Sequence, residues 1–386
     1  MKNIKICAFV IFIATIVGIG TWYMATPSLD KMVGQMIMTG FHGDGTGQNE
    51  GDLQIVESQV RRGVIGGVIL FDIDLIGLQN RGVPENEIGK HIFSSNIKNV
   101  NQVKALNERL QNVAGGSLFI AIDQEGGAVQ RLKSAHGFAS TPAASSMTRD
   151  SDETYKIAYD LGRRLYELGF NINFAPVLDV NINPDCPVIG KRGRSFSDNP
   201  KIVAQFAGAF GRGLNDAGLA YSFKHFPGHG SSSVDSHKGI TDITNTWREY
   251  ELEPYRMLAS KNPRGAMVMV GHIINRNIDD VPASLSPRTI GMLRNMGFDG
   301  VVVSDCMNMG AISNEYGRRD AIRRAINAGN DLLVFSNNLI FDAHTGDDVH
   351  ATIVDLVNSG EIKKSRIRQS YRRIMKLKKS IGLKQR

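Results

Sequence analysis

The sequence predicts an α/β protein folded as a single (β/α)8 TIM-like barrel. Three observations carry that expectation. Short apolar runs alternate with amphipathic helical stretches, eight such runs follow residue 26, and glycines fall where a helix would hand over to the next run. A doubly wound open sheet built from the same units is the structural rival.

The eight runs are Gln35–Phe41, Val64–Phe71, Leu118–Gln124, Ile172–Val180, Tyr221–Phe226, Ala266–His272, Gly300–Asp305 and Asp331–Phe335. They are rich in Val, Ile and Phe and mostly lack apolar/polar alternation, as parallel strands covered on both faces require. Helical stretches such as Thr154–Leu168, Ile202–Leu214, Pro287–Met296 and Arg318–Ala328 lie between them. Gly63, Gly169, Gly218, Gly297 and Gly329 stand where a helix C-cap is expected. Asp72–Val100 is longer and more polar than the other connections and reads as an insertion after the second strand; Ser140–Met147 reads as a further loop. In the tail, Ile367, Tyr371, Ile374, Leu377 and Ile381 recur at helical spacing, which predicts a closing helix whose Lys and Arg face solvent.

The amino terminus lies outside that pattern. Residues Ile6 to Gly20 form an apolar run behind the basic start Met1-Lys-Asn-Ile-Lys5, and the run continues uncharged to Met24. Residues 1–25 therefore read as a signal peptide or membrane anchor, with 6–24 a possible membrane tether, and residues 26–386 as the catalytic barrel. Export to the periplasm or the outside is the expected location. The three Cys (Cys7, Cys186, Cys306) match no zinc spacing, and Cys186 and Cys306 are taken as free.

Hydrophobic residues make up 42% of the 386 and charged residues 22%, which excludes a disordered or multispanning chain. The net charge of +7 is local: residues 363–386 hold 11 Lys/Arg and no acid, and Lys2 and Lys5 precede the apolar run. Without those 13 cations the chain has 32 basic against 38 acidic groups, so no nucleic-acid partner is expected.

Polar residues concentrate where the runs end, the catalytic face of a barrel. The third run gives Asp123-Gln-Glu125-Gly-Gly and then Arg131; the fifth gives Lys224-His225-Phe-Pro-Gly-His229-Gly, followed by Asp235-Ser-His237; the seventh gives Ser304-Asp305. Such a pocket suits sugar chemistry: carboxylates accept from hydroxyls, Arg and Lys donate to them, and an ionised carboxylate can trap an oxocarbenium-like centre. Asp305 is the candidate nucleophile. His237 is the candidate proton carrier, since an imidazole titrates near neutrality, and Asp235 can hold its ring. Asp123 and Glu125 alone could cap a helix, Asp179 reads as a structural acceptor outside the site, and His272 as either pocket wall or ligand contact. His225, His229, Asp235 and His237 could in principle hold a metal, but the spacing H-x3-H-x7-H resembles no zinc motif, and no metal or cofactor is expected.

These motifs, together with Gly190-Lys-Arg-Gly-Arg194-Ser-Phe196, resemble glycoside hydrolase family 3, and within it the bacterial β-N-acetylglucosaminidases. The resemblance runs from about Met32 to Leu383. It implies Asp305 as nucleophile, His237 as acid/base and Asp235 as its partner, with Asp123, Arg131, Arg194, Lys224 and His225 binding the terminal sugar. It also implies a carbohydrate substrate, a terminal β-linked GlcNAc on a peptidoglycan fragment or chitooligosaccharide, removed by an exo-acting monomer with retention. The family's β-glucosidases usually take their acid from a second domain, which this sequence does not carry, so an N-acetyl sugar is expected over glucose. The alternatives are a β-glucosidase, an N-acetylglucosaminide phosphorylase and a non-catalytic sugar-binding protein. The sequence departs from the family pattern at Ser231-Ser232, which replace the usual Asp-Thr, and at Cys306-Met307-Asn308-Met309 after the nucleophile position.

Overall fold

The computed structural model describes residues 27–80, 95–237, 239–338 and 340–385. The apolar run of residues 6–24 and residues 81–94 of the expected insertion lie outside them. Eight strands form the barrel, in chain order β1 Ile37–Gly40, β2 Gly67–Ile69, β3 Phe119–Ile122, β4 Ile172–Asn173, β5 Ala220–Phe226, β6 Ala266–Val270, β7 Val301–Cys306 and β8 Leu332–Phe335, and the short segments Thr241–Asp242 and Ile273–Ile274 pair outside it. Each barrel strand pairs in parallel with its sequence neighbours, and β8 pairs with β1 (Ile37 opposite Leu333), so the sheet closes on itself. The closed parallel barrel is the expected fold, and the open sheet is excluded. Apart from the last two residues of β7, all barrel-strand residues are buried, which explains the unbroken apolar runs.

The helices begin and end on chemistry visible in the sequence. Asn99 and Ser286 cap the helices Val100–Val113 and Pro287–Asn295 by accepting from the amides of Gln102 and Thr289. All five glycines expected after helices have positive φ, among them Gly63 at 72°, whose amide bonds the carbonyls of Gln59 and Val60. Two expectations need correction. The fourth run pairs as a strand only over Ile172–Asn173, because Pro176 carries no N–H for a ladder; the chain continues to Val180 as an irregular segment with a single bridge, Val177 to Lys224. The closing helix, Lys364–Ser380, buries Ile367, Ile374 and Leu377 as expected, but one lysine of its polar set turns inward. Lys378 is buried at the N-terminal end of the barrel, where its ammonium donates to Gln35 Oε1 and the Ser117 carbonyl and lies 4.5 Å from the Phe119 ring centre.

Two ladders lose register towards their C-terminal ends. Between Phe223 and Phe226 β5 has one residue more than β6, and β7 has one more than β8 between Val303 and Cys306. Such bulges re-aim side chains. They fall at Lys224-His225 and at Ser304-Asp305.

Candidate active site

The end of β3 supplies three residues with three different tasks. Gln124 is wholly buried: its amide N–H bonds Asn173 Oδ1, and its Oε1 accepts from the backbone of Arg131 (2.8 Å) and Leu132 (3.0 Å), fastening the turn that returns Arg131 to the strand end. Gly126, at φ 103°, lets this turn approach so close that a Cβ would overlap the Pro142 carbonyl. Asp123 and Glu125 both accept from the Lys224 ammonium, at 3.0 and 2.6 Å. Glu125 also takes a two-pronged bond from Arg194, 2.7 Å to Oε1 and 2.8 Å to Oε2, and Asp123 meets Arg131 at 3.4 Å. Neither acid caps a helix.

Burial alone would raise both carboxyls. Lys224 and Arg131 outweigh it at Asp123, and Arg194 and Lys224 at Glu125, so both lie below their ordinary values. Burial likewise disfavours the Lys224 ammonium, but Asp123 and Glu125 hold it above the usual lysine value. The result is a largely buried strip of three cations and two carboxylates that presents fixed donors and acceptors.

The β5 bulge brings His225 to the same strip, 3.3 Å from Arg194 Nη2. Asp179 holds that ring: its Oδ2 is 2.7 Å from His225 Nδ1, while Oδ1 accepts from the amides of His225 (3.1 Å) and His229 (2.8 Å). It is a structural acceptor beneath the site, as its place in the fourth run suggests.

Asp305, next to last in β7, is half-buried, with Oδ1 accepting from the Cys306 amide at 2.7 Å. Burial would push its carboxyl up, but the imidazoles of His272, His225 and His237 and the Cys306 amide bring it down to about 2. His272 is a wall rather than a free ligand, since Nδ1 meets Ser284 Oγ (2.6 Å) and Nε2 the Cys306 carbonyl (2.9 Å). The loop after β5 then carries Asp235 and His237. Asp235 Oδ1 bonds both the Nδ1 (2.6 Å) and the backbone N–H (2.9 Å) of His237, which holds its carboxyl well below the usual range. The Gly310 amide donates to the His237 carbonyl at 3.2 Å, placing this loop against the segment that follows Asp305. The His237 side chain is 52% exposed, with Nδ1 turned to Asp235.

Residues 28–377 match the glycosyl hydrolase family 3 N-terminal domain. The chain belongs to glycosyl hydrolase family 3. Among its relatives are Beta-hexosaminidase LpqI of Mycobacterium tuberculosis, 37% identical over 288 residues (69% of this chain, 70% of that protein), and Beta-hexosaminidase A of Pseudoalteromonas piscicida, 32% identical over 318 residues. The latter match covers 75% of this chain but 53% of the Pseudoalteromonas protein. The structure of a family 3 β-N-acetylglucosaminidase from Paenibacillus superposes with a TM-score of 0.79 at 32% identity, covering 92% of this chain and 63% of that one.

Of the eight residues expected in the family 3 site, Asp123, Arg131, Arg194, Lys224 and His225 form one connected cluster. Asp305 couples to it through His225, and Asp235 and His237 approach from the adjoining loop. The metal-type set does not converge: His225 is turned to Asp179, His237 to Asp235 and both nitrogens of His229 to serines. Among the described residues no group of three or more His, Cys, Asp or Glu side chains is placed to hold a metal ion. Cys186 and Cys306 are free, each facing a serine hydroxyl. The residues the sequence reading left outside the site are Glu125, Gln124 and Asp72. Glu125 and Gln124 lie inside the Asp123 motif itself; Asp72, which takes Lys133 at 2.6 Å and Arg131 at 3.7 Å, directly follows the second run.

Proposed function

We propose that this protein is an exo-acting, retaining β-N-acetylglucosaminidase that removes terminal β-linked GlcNAc from peptidoglycan fragments or chitooligosaccharides. One observation carries the reading: a carboxylate held ionised at the end of β7 stands beside both a fixed donor–acceptor strip and a His–Asp dyad.

In this mechanism the strip of Asp123, Arg131, Arg194, Lys224 and His225 binds the hydroxyls of one terminal sugar. An ionised Asp305 attacks the anomeric carbon as the glycosidic C–O bond breaks, and His237 gives its proton to the departing oxygen. In the second half His237 takes a proton from water, which displaces Asp305 and releases the sugar with its configuration retained. Asp235 holds the imidazole by Nδ1, so the proton moves at Nε2. The relatives, a β-hexosaminidase and a β-N-acetylglucosaminidase by name, support an N-acetylhexosamine as the sugar. Comparing kcat/KM on aryl β-GlcNAc and aryl β-glucoside tests this: a strong preference for the former is expected, and equal rates or a preference for glucose refute it.

The location belongs to the same proposal. Residues 6–24 direct export and tether a monomeric barrel to the membrane or are cleaved. No described helix is long and apolar enough to cross a membrane, so the tether rests on the sequence of residues 6–24 alone. Fractionation that finds the intact chain in the cytoplasm overturns it.

A further inference from the structure

The loop that carries the dyad is poorly anchored by its own side chains. From residue 233 to residue 237, Ser233, Val234 and His237 are exposed and Asp235 is half-buried. Ser236 is the exception, at 2% exposure, between the two members of the dyad. Its hydroxyl lies 3.0 Å from Nε2 of His229. His229 is itself 3% exposed, its backbone is tied to Asp179, and its Nδ1 lies 2.9 Å from Ser232 Oγ. Ser232 in turn faces Cys186 Sγ at 3.1 Å, and its carbonyl accepts from Asn183 Nδ2 at 2.9 Å, which joins the base of the loop to the segment after β4.

Burial, then His225, lowers the His229 imidazole to about 4, so near neutrality it is uncharged, with one nitrogen donating and the other accepting. A serine hydroxyl can serve either nitrogen. The ring thus makes two satisfied bonds in a site closed to water and touches neither Asp305 nor the sugar-binding strip by hydrogen bond.

We propose that His229 and Ser236 form a latch that holds the Asp235–His237 dyad over Asp305, making both of them positioning residues for proton transfer to and from the glycosidic oxygen. The proposal rests on His237 being the acid/base. Ser232 and Cys186 brace the latch from below. The Asp-Thr usual in the family at 231–232 is Ser-Ser here, so in this chain the brace is built from a serine and a thiol.

The test separates proton transfer from general damage. The quantity kcat/KM reports only steps up to formation of the glycosyl-enzyme, and an aryl glycoside with a good leaving group needs almost no protonation there, whereas a GlcNAc disaccharide does. Ser236→Ala is expected to lower kcat/KM about tenfold on the disaccharide and less than twofold on 4-nitrophenyl β-GlcNAc, and Ser236→Thr, which keeps the hydroxyl, to recover most of the loss. Ser232→Ala, which removes the brace without touching the loop tip, is expected to show the same split with smaller amplitude. Equal losses on both substrates, or no loss on either, overturn the latch. His237→Ala run alongside is expected to show the same split with larger amplitude. If it does and Ser236→Ala does not, the latch alone fails; if His237→Ala shows no split, the acid/base assignment fails and the latch falls with it.

Discussion

Glu251 sets the stability of the loop region against pH, and the structure gives the size of the effect. Its side chain is fully buried beneath the Pro227–Ser231 segment, close enough to Gly228 that a Cβ there would touch its carboxyl. Oε1 accepts from the Arg248 amide at 3.1 Å. Burial pushes this carboxyl up to about 8 against the pull of the Arg248 amide and Ser231. The folded protein therefore keeps a proton that the unfolded chain, with an ordinary value of 4.5, releases. Its stabilising contribution is complete below pH 4.5 and is lost as pH rises towards 8, at about 1.4 kcal/mol per pH unit in between. Glu251→Gln keeps the shape and the accepting oxygen but does not titrate. The variant's stability relative to the parent is thus expected to rise by roughly 2–3 kcal/mol between pH 5 and pH 7, a large share of an ordinary folding free energy. Urea unfolding of both proteins at the two pH values measures it. A difference between them that does not change with pH refutes the reasoning.

Further outcomes follow from other parts of the molecule. Asp331, wholly buried before β8, holds Arg294 (2.8 Å), Arg366 (2.9 Å) and Ser370 (2.8 Å), so Asp331→Asn is expected to cost about 3–5 kcal/mol by thermal unfolding while leaving KM for aryl β-GlcNAc unchanged at a temperature where the variant stays folded. Lys224→Met leaves Asp123 and Glu125 without the ammonium between them and is expected to lower kcat/KM about 100-fold, the value of one or two charge-assisted hydrogen bonds, measured on aryl β-GlcNAc. Because Asp305 is held at about 2, it stays ionised well below neutrality, and kcat/KM on an activated aryl substrate is expected to be level from pH 7 down to about 4.5; an acid limb with a midpoint near 5 contradicts this.

The barrel was legible because closure buries every strand on both faces, which writes eight unbroken apolar runs into the chain. The site was legible where a charged residue ends such a run, as at Asp123 and Asp305, since a charge there must face the pocket or find a partner. The fourth run shows the limit: Phe174, Ala175, Val177 and Leu178 are as apolar as a strand, yet the chain beyond Asn173 makes a single bridge, and burial without pairing looks the same in sequence. Lys378 shows another. Helical spacing places its neighbours on the core, but only the closed barrel brings the Gln35 and Ser117 acceptors to one point beneath it. Glu125 and His229 were recognisable as polar members of motifs, but their tasks depend on partners 69 residues away at Arg194 and 7 residues away at Ser236, which residue type alone does not reveal.

The central claim is that Asp305 forms a covalent bond to the sugar. It is tested most directly by trapping with an activated fluorinated GlcNAc analogue that forms the glycosyl-enzyme faster than it is hydrolysed, followed by peptide mass spectrometry. The account predicts a single added sugar on the peptide containing Ser304-Asp305-Cys306, absent in Asp305→Ala. Label on any other residue, or full turnover of the analogue with no trapped species and an inverted product, contradicts it.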